Sequence, residues 1–305
     1  MSSNSEAPGG GPFVPHEPFE QYRQRFSELF AMKRENGIIE VRAHFNGGPA
    51  QWIYGMHKGW GQVFRTVGDD PENEVLIITG TGDTFIQEMS PEFLKYVAQT
   101  LSTNPGEWMR KSYDMQYRDG SALLNNLMYD VHIPTIGVIN GSGPGHTEFA
   151  LTCDLTLCAE DVVFRDPHFS NNVVPGDGQF LIFQKLLGDK RANYMAYTGE
   201  TIDAQSALQL GLVNEVLPRE KLLPRAWEIA EQIMQKDRYV RRLTHDLMRQ
   251  SMRRHYEDFN LHFAMETWGQ CLTMLNRDID LTAGWKQTNA DVAQETAQVA
   301  PAGRA

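Results

Sequence analysis

Cysteine and long apolar runs are both scarce in this chain of 305 residues, and each shortage excludes a class of protein. The cysteines are only Cys153, Cys158 and Cys271, an odd number without a C-x-x-C pair, so the sequence predicts neither a disulfide framework nor a zinc site. No stretch reaches the roughly 18–20 apolar residues that a membrane-spanning helix requires. We therefore expect a cytoplasmic protein with no membrane partner.

Positive charge is also in short supply. The chain has 28 Lys and Arg against 39 Asp and Glu, a formal net charge of −11, whereas a nucleic-acid-binding surface needs clustered cations. We expect no nucleic-acid partner, and we interpret the basic stretch 238–254 as a solvated or intersubunit helix face, with a nucleic-acid patch as the alternative. The nine histidines show no HxH, HxxxH or HExxH spacing. The sequence therefore predicts neither a metal nor a cofactor.

The order of sequence patterns predicts an α/β fold, because segments of strand character alternate with segments of helical character. Residues 1–18 lack the basic start and apolar core of a signal peptide, and they predict a disordered tail. From Phe180 onward the pattern is helical, and it looks frayed after Asp291. The main predicted elements are helices over 19–34, 52–67 and 120–129, a helix start at 147–151, and strands over 37–43, 74–80, 135–141, 155–158 and 162–164.

Two stretches carry a specific likeness to a known family. The first is 134–154, where P-T-I-G-V-I-N-G leads through a glycine-rich turn to Glu148, and the second is 198–218, T-G-E…A…A-L-Q-L-G-L-V-N-E-V-L-P. Together with T-G-T-G over 79–82, they resemble the crotonase (enoyl-CoA hydratase/isomerase) superfamily over roughly residues 35–270.

This resemblance implies a crotonase-type spiral of repeated ββα units. It further implies a core over 19–220, a C-terminal helical trimerisation region over 221–290, a flexible tail over 291–305, and assembly as a homotrimer or a dimer of trimers. The superfamily stabilises an enolate with backbone N–H groups, and a helix start after a glycine turn supplies such donors. Gly145 and Met89 lie at the matching positions and are therefore candidate substrate-binding residues.

The sequence departs from the superfamily pattern where a second catalytic glutamate is expected. In D-P-H-F over 166–169, His168 stands at that position, and hydratases use two glutamates to handle one water. The departures resemble the β-diketone hydrolase branch that includes 6-oxocamphor hydrolase, through G-H-T-E over 145–148, V-P-G-D-G over 174–178, and the positions of Trp52, His57 and Glu266. The branch implies retro-Claisen hydrolysis of a small diketone to a keto acid.

Each implied role competes with a structural alternative. His168, oriented by Asp177, would activate water, although a strand-end histidine and an ordinary turn aspartate fit the same residues. His146 would be a neutral donor to the enolate, or only a polar neighbour of a helix start. Glu266 would tune Asp177 or a histidine, unless it lies on the surface of an amphipathic helix.

The remaining candidates are substrate-binding residues. Trp52 and His57 would line the pocket, with packing as the alternative for both. The first alternative function is a CoA-thioester hydratase, isomerase or hydrolase of the same fold. The second is a non-catalytic crotonase-like binding protein, for instance one that associates with RNA.

Overall fold

A six-stranded sheet forms the centre of the computed structural model, which describes residues 16–143, 145–274 and 280–299. The strand order is β1-β2-β4-β6-β7-β10, in which β1 is antiparallel to β2 and all other neighbours are parallel. Two short sheets, parallel β3–β5 and antiparallel β8–β9, lie beside it. The strands are β1 Phe30–Glu35, β2 Ile38–Ala43, β3 Gln51–Trp52, β4 Val75–Thr79, β5 Glu88–Met89, β6 Thr135–Ile139, β7 Leu155–Ala159, β8 Val163–Phe164, β9 Ile202–Asp203 and β10 Glu215–Leu217.

Helices cover the sheet and fill most of the second half of the chain. They are α1 Phe19–Arg25, α2 Tyr54–Asp69, α3 Pro91–Thr103, α4 Pro105–Ser112, α5 Ser121–Tyr129, α6 Glu148–Thr152, α7 Gln179–Leu187, α8 Asp189–Thr198, α9 Ala204–Gln209, α10 Arg219–Met234, α11 Arg238–His255, α12 Phe259–Thr273 and α13 Leu281–Val299. A π-helix over Tyr113–Gly120 joins α4 to α5. Two 3-10 turns, Phe169–Asn171 and Tyr256–Asp258, complete the described elements.

The central parallel strands are buried on both faces, which confirms the predicted α/β class. Every residue of β4 and of β6 is buried. Strands covered by helices on both sides contain continuous apolar runs rather than alternating ones. The predicted strands over 74–80 and 135–141 are therefore confirmed, each one or two residues shorter at its ends.

The predicted helix over 19–34 is wrong in its second half. The helix ends at Arg25, and Phe30–Glu35 is a strand that pairs with β2 through a hairpin. Asn36 and Gly37 both have positive φ, 48° and 83°, which is the two-residue turn that matches the twist of paired strands. Phe30 and Met32 are buried while Ala31 and Lys33 are exposed, so the alternation is that of a strand.

The helix predicted over 52–67 is present, but it begins at Tyr54, two residues later than predicted, because Trp52 is the last residue of the short strand β3. The frayed tail predicted after Asp291 is also wrong as far as residue 299. These residues continue helix α13, which buries Val292 and pairs Glu295 with Arg165. The predicted tail over 1–18 and the end of the predicted tail over 291–305 lie mostly outside the described residues.

The basic stretch 238–254 pairs with acidic groups of the core. Arg241 and Arg249 are buried, and they form ion pairs with Glu74 and Asp154 respectively. Buried, paired guanidinium groups stabilise helix α11 on the core instead of offering charge to a polyanion. Among the described helices, none combines the length and apolar character needed to cross a membrane.

Candidate active site

Seven of the eight candidate residues line one cavity. Its lining includes Trp52, His57, Met89, His146, His168, Asp177 and Glu266. Trp52 and Met89 are the last residues of the paired strands β3 and β5, and His168 follows strand β8 closely, so carboxyl ends of strands build much of the wall. Ligands bind at this end of strands in open α/β sheets. The volume is about 70 Å³, several times the ~10–15 Å³ that one water centre needs.

The imidazole of His168 lies between two carboxylates. Its Nδ1 is 2.7 Å from Oδ1 of Asp166, and its Nε2 is 3.3 Å from Oδ2 of Asp177. The backbone N–H of His168 also donates to Asp166 Oδ1. The sequence predicts that Asp177 orients His168, but the shorter bond belongs to Asp166, for which no role was predicted. Asp177 instead lies near the other ring nitrogen, Nε2, and also lines the cavity.

These contacts shift the pKa values of both His168 and Asp177. Burial alone would lower the pKa of His168, but the carboxylates of Asp177 and Asp166 outweigh it and raise that pKa well above the usual value. Burial would raise the pKa of Asp177, but the charge of nearby His168 outweighs it and lowers that pKa. Both shifts make His168 a stronger base than a free imidazole and stabilise the imidazolium that it forms when it takes a proton.

A glycine loop before helix α7 sets the position of Asp177. Gly178 has φ +109°, and a Cβ there would lie 2.2 Å from Leu124 Cδ1, so only glycine fits. A Cβ on Gly176 would lie 2.2 Å from the carbonyl oxygen of His262. Oδ1 of Asp177 accepts the backbone N–H of Gln179, whereas Oδ2 accepts no aligned hydrogen bond from the described residues. The Oδ2 atom thus keeps acceptor capacity beside the cavity.

His146 occupies a strained turn and is held by stacking. Its φ is +62°, a left-handed conformation that costs a non-glycine residue of the order of 1–3 kcal/mol. The Trp52 ring stacks on the imidazole with centroids 3.6 Å apart and planes 20° from parallel. Nδ1 lies 3.0 Å from Glu148 Oε1 and 3.4 Å from Asp177 Oδ2. Burial lowers the pKa of His146 to about 4, so the ring is neutral, as the sequence analysis expects for a donor.

Two neighbours of His146 also have strongly shifted pKa values. Burial raises the pKa of Glu148 well above its usual value, and the charge of Asp177 adds to the effect. Burial lowers the pKa of His57 to about 3, and the ring meets Trp52 edge to face at 4.8 Å. Nδ1 of His57 is buried and has no hydrogen-bond partner among the described residues. An unpaired polar atom of this kind at a cavity is available to a ligand.

Glu266 is buried, so the surface alternative for this residue does not hold. Its Oε2 accepts the backbone N–H of Gly176 at 3.1 Å, and its Oε1 accepts the side-chain amides of Gln270 at 3.1 Å and Gln116 at 3.4 Å. Burial, with the charge of Asp177, raises the pKa of Glu266 to about 8, although His168 acts in the opposite direction. Gln116 reaches this carboxyl from the π-helix.

Met89 and Gly145 stand at the two positions whose backbone N–H groups the family resemblance assigns to enolate binding, and their surroundings differ. The N–H of Met89 donates to Asn289 Oδ1 at 2.9 Å, and the carbonyl of Met89 accepts Asn289 Nδ2 at 2.8 Å. The Met89 N–H is therefore occupied by helix α13, although the residue lines the cavity. Gly145, the eighth candidate, is buried, but a Cβ there would meet nothing within 4 Å, so it borders open space.

Helix α13 supplies wall residues that the sequence analysis missed. Trp285 meets His168 edge to face, with ring centroids 5.5 Å apart, and Thr282 also lines the cavity. Thr288 accepts a hydrogen bond from Asn171, which anchors the helix beside the His168 turn. The segment carries no motif, and only its Trp-x-x-x-Asn spacing (285–289), which brings both residues to one helix face, could have indicated these contacts.

Two trios of possible donor atoms come within 4.8 Å of one another: His146, Glu148 and Asp177, and His168, Asp177 and Glu266. Both trios depend on Asp177, whose Oδ2 already lies at ion-pair distance from both imidazoles. The raised pKa values of Glu148 and Glu266 further disfavour a cation, because each trio contains one of these glutamates and a cation would need it ionised. The absence of a metal stays a prediction.

Comparison with known proteins places the chain in the family that its motifs resemble. The family model described as enoyl-CoA hydratase/isomerase matches residues 54–268, more than half of the chain. The chain belongs to this family. The predicted likeness to the crotonase superfamily is thereby confirmed, and with it the fold class.

The relatives of the chain differ in activity. A solved β-diketone hydrolase from the cyanobacterium Anabaena sp. PCC 7120, bound to (S)-3-oxocyclohexyl acetic acid, is 33% identical with a TM-score of 0.75, and the match covers 85% of this chain and 99% of that one. A carnitinyl-CoA dehydratase of Citrobacter koseri is 32% identical over 212 residues, 68% of this chain and 75% of that protein. A crotonyl-CoA hydratase of Syntrophomonas wolfei is 29% identical over 230 residues, 74% and 82% of the two chains.

Proposed function

We propose that this enzyme hydrolyses a carbon–carbon bond of a small, cyclic β-diketone by a retro-Claisen reaction and releases a keto acid. One observation carries the proposal: a histidine held between two carboxylates, His168, lines the same cavity as a neutral histidine, His146. The reaction needs a water made nucleophilic, a stabilised enolate and a proton for the enolate carbon. The chain supplies a group for each.

The attacking water would lie against His168 Nε2 and Asp177 Oδ2. Transfer of its proton to the His168–Asp177 pair makes the water a nucleophile, and the hydroxide oxygen bonds to one carbonyl carbon. The bond between that carbon and the central carbon then breaks, and its electron pair forms the enolate of the other carbonyl. The proton held on His168 Nε2 returns to the enolate carbon.

His146 would hold the enolate oxygen through Nε2–H. A protonated Glu148 donates its O–H to Nδ1 of His146 and so places the single ring proton on Nε2, which supports this tautomer. Stacking on Trp52 fixes the plane of the ring. Trp52 and the unpaired Nδ1 of His57 would bind the polar end of the substrate or product. Gly145, beside the open space, leaves room for the ligand.

Glu266 would set the charge near the reacting pair. With a pKa near 8 it is neutral at physiological pH, and a neutral carboxyl does not compete with Asp177 for the charge of His168. The similar diketone hydrolase supports the substrate class, since the compound bound to it is a keto acid. We extend the proposal to a metal- and cofactor-free cytoplasmic enzyme that assembles as a homotrimer or a dimer of trimers, with a core over 19–220 and a helical region over 221–290.

A CoA-thioester hydratase is the second candidate, favoured by the names of the curated relatives at 32% and 29% identity. Two observations disfavour it. The N–H of Met89 is bonded to Asn289 and is not free for a thioester oxygen. His168 replaces one of the two glutamates that hydration requires.

The test is a parallel assay of the purified protein on a panel of cyclic and bicyclic 1,3-diketones and on crotonyl-CoA, followed by mass spectrometry of the product. We expect a keto acid heavier than its diketone by one water, and no change in the enoyl absorbance of crotonyl-CoA. Rapid hydration of crotonyl-CoA without diketone cleavage would favour the second candidate. No turnover of either class, together with salt-sensitive RNA binding, would favour a non-catalytic binding protein.

A further inference from the structure

Trp108 brings an unused hydrogen-bond donor to the wall of the active-site cavity. The residue lines the cavity and is 3% exposed, and its Nε1–H has no acceptor among the described residues. No step of the proposed reaction uses it. A buried N–H group without an acceptor costs free energy in the folded protein, and a ligand that supplies an acceptor removes that cost.

The indole N–H differs from the other unpaired polar atoms of the lining because it cannot change its role. His57 Nδ1 and Gln116 Oε1 are also buried without a partner among the described residues. An imidazole nitrogen can donate or accept, and a glutamine amide can rotate to exchange its oxygen and nitrogen. An indole N–H only donates, so the group that pairs with Trp108 must be an acceptor.

The surroundings of the Trp108 ring are apolar. The ring packs in a cluster with Val97 and Met115, and Phe93 and Met274 pack against this cluster and line the cavity as well. Lysine and arginine are both absent from the described residues of the lining. An anionic oxygen would lose its hydration here and gain no cation in return, so an uncharged oxygen is the acceptor that fits.

The helix that carries Trp108 runs from this apolar wall toward the reacting groups. Helix α4 continues into the π-helix, where Gln116 donates to Glu266 Oε1 at 3.4 Å. The other oxygen of Glu266 accepts the N–H of Gly176, the residue before Asp177. Eight residues separate Trp108 from Gln116, roughly 10–12 Å along the helix axis. We therefore expect Trp108 to contact a part of the substrate away from the bond that breaks.

We propose that Trp108 is a specificity-determining residue, and that the substrate is a cyclic β-diketone with an additional uncharged oxygen, of the ether or carbonyl type, remote from the cleaved bond. The Nε1–H of Trp108 donates a hydrogen bond to this oxygen. No bond to the additional oxygen forms or breaks, so Trp108 contributes to binding and not to the chemical step. The inference rests on the proposed function and narrows its substrate class.

The test uses two pairs of diketones in which one CH2 group is replaced by an oxygen atom. The first pair is 2,2-dimethylcyclohexane-1,3-dione and 4,4-dimethyloxane-3,5-dione. The second is 2,2-dimethyl-5-propylcyclohexane-1,3-dione and its 5-methoxymethyl analogue, whose oxygen lies farther from the reacting carbons. The two methyl groups prevent enolisation at the central carbon. In wild type we expect the ether of at least one pair to have a KM no more than about threefold above that of its hydrocarbon partner.

Trp108→Phe retains an aromatic ring but lacks the N–H. For the ether of that pair we expect KM to rise roughly three- to tenfold relative to the hydrocarbon, with kcat unchanged. A merely structural role would change both members of a pair equally. The matched control is Trp60→Phe, since Trp60 also has a buried Nε1–H without an acceptor among the described residues but does not line the cavity. It should leave the ratio of the two KM values as in wild type.

Wild type alone gives a second measurement, which covers the case in which Trp108→Phe does not fold. In a cavity without a donor for it, an ether oxygen loses its hydration uncompensated, and both ethers would then have a KM about tenfold or more above that of their partners. That result, or an unchanged ratio in Trp108→Phe, would overturn the inference while the proposed function stands. If wild type cleaves neither these compounds nor any other cyclic 1,3-diketone, the proposed function fails and the inference fails with it.

Discussion

Oδ2 of Asp177 lies 3.3 Å from Nε2 of His168, and both residues are buried in the wall of one cavity. The same oxygen lies 3.4 Å from Nδ1 of His146. One carboxylate thus contacts both a strongly basic imidazole and a weakly basic one. The first can exchange a proton with water, and the second can stabilise an oxyanion, so this carboxylate joins the two halves of the proposed reaction.

Removal of either member of the pair should abolish turnover. Asp177→Asn retains the shape of the side chain but removes the charge that stabilises the His168 imidazolium, and His168→Ala removes the base. We expect each to lower kcat by about 10²–10⁴-fold on a diketone, as is typical of general acid–base groups. The measurement is steady-state kinetics together with thermal melting.

A surface pair serves as the control for these variants. His132 contacts Asp246 at 3.0 Å but is exposed and lies away from the cavity. His132→Ala should retain the wild-type rate. Near wild-type kcat for Asp177→Asn would remove this carboxylate from the mechanism.

The tautomer of His146 should depend on a donor at position 148. Gln at that position can still donate an N–H to Nδ1, whereas Ala cannot. We expect Glu148→Gln to retain kcat within a few-fold and Glu148→Ala to lose about tenfold or more, with His146→Ala the most damaged of the three. Equal losses for Glu148→Gln and Glu148→Ala would mean that ionisation of Glu148, not its hydrogen bond, is what matters.

The raised pKa of Glu266 predicts how stability depends on pH. The folded-state pKa of about 8 lies above the ordinary carboxyl value of 4.5, so the contribution of this group is fully present below pH 4.5 and is lost as pH rises through 8. Glu266→Gln removes this dependence. We expect the melting temperature of Glu266→Gln, relative to wild type, to increase between pH 5 and pH 8. Parallel melting curves over that range would contradict the shifted pKa.

An exposed apolar strip on helix α12 predicts self-association. Leu261, Met265, Trp268 and Leu272 recur at helical spacing and are 55%, 44%, 60% and 53% exposed in the isolated chain. We expect light scattering to give a trimeric or hexameric mass for wild type and a monomeric mass for Trp268→Glu. A monomeric wild type would contradict the assembly that the family resemblance implies.

The sequence predicted the central strands and most of the cavity because local patterns determine them. Burial on both faces leaves a continuous apolar run in β4 and β6, and the motifs around Glu148 and Asp177 are contiguous. The hairpin turn at Asn36-Gly37 was not predicted, because it directly follows a stretch of helical composition. The sequence assigns Trp52 to a helix because a two-residue strand has no periodicity to detect.

Long-range contacts account for the other errors. Asp166 appeared as a neighbour of Pro167, and only the fold shows that its carboxylate bonds the ring two residues away. The part of helix α13 after Asp291 looked frayed because its polar composition carries little apolar periodicity, yet Glu295 pairs with Arg165 across 130 residues of chain. Such contacts depend on the path of the backbone, which no local pattern specifies.

The most direct test of the central claim is a single-turnover reaction of a cyclic 1,3-diketone in H2(18)O. If water activated at the His168–Asp177 pair attacks a carbonyl, the keto acid from wild type carries one heavy oxygen in its carboxyl group, and Asp177→Asn forms the acid at least about 100-fold more slowly. A keto acid formed at the wild-type rate by Asp177→Asn, or one without heavy oxygen, would contradict the account.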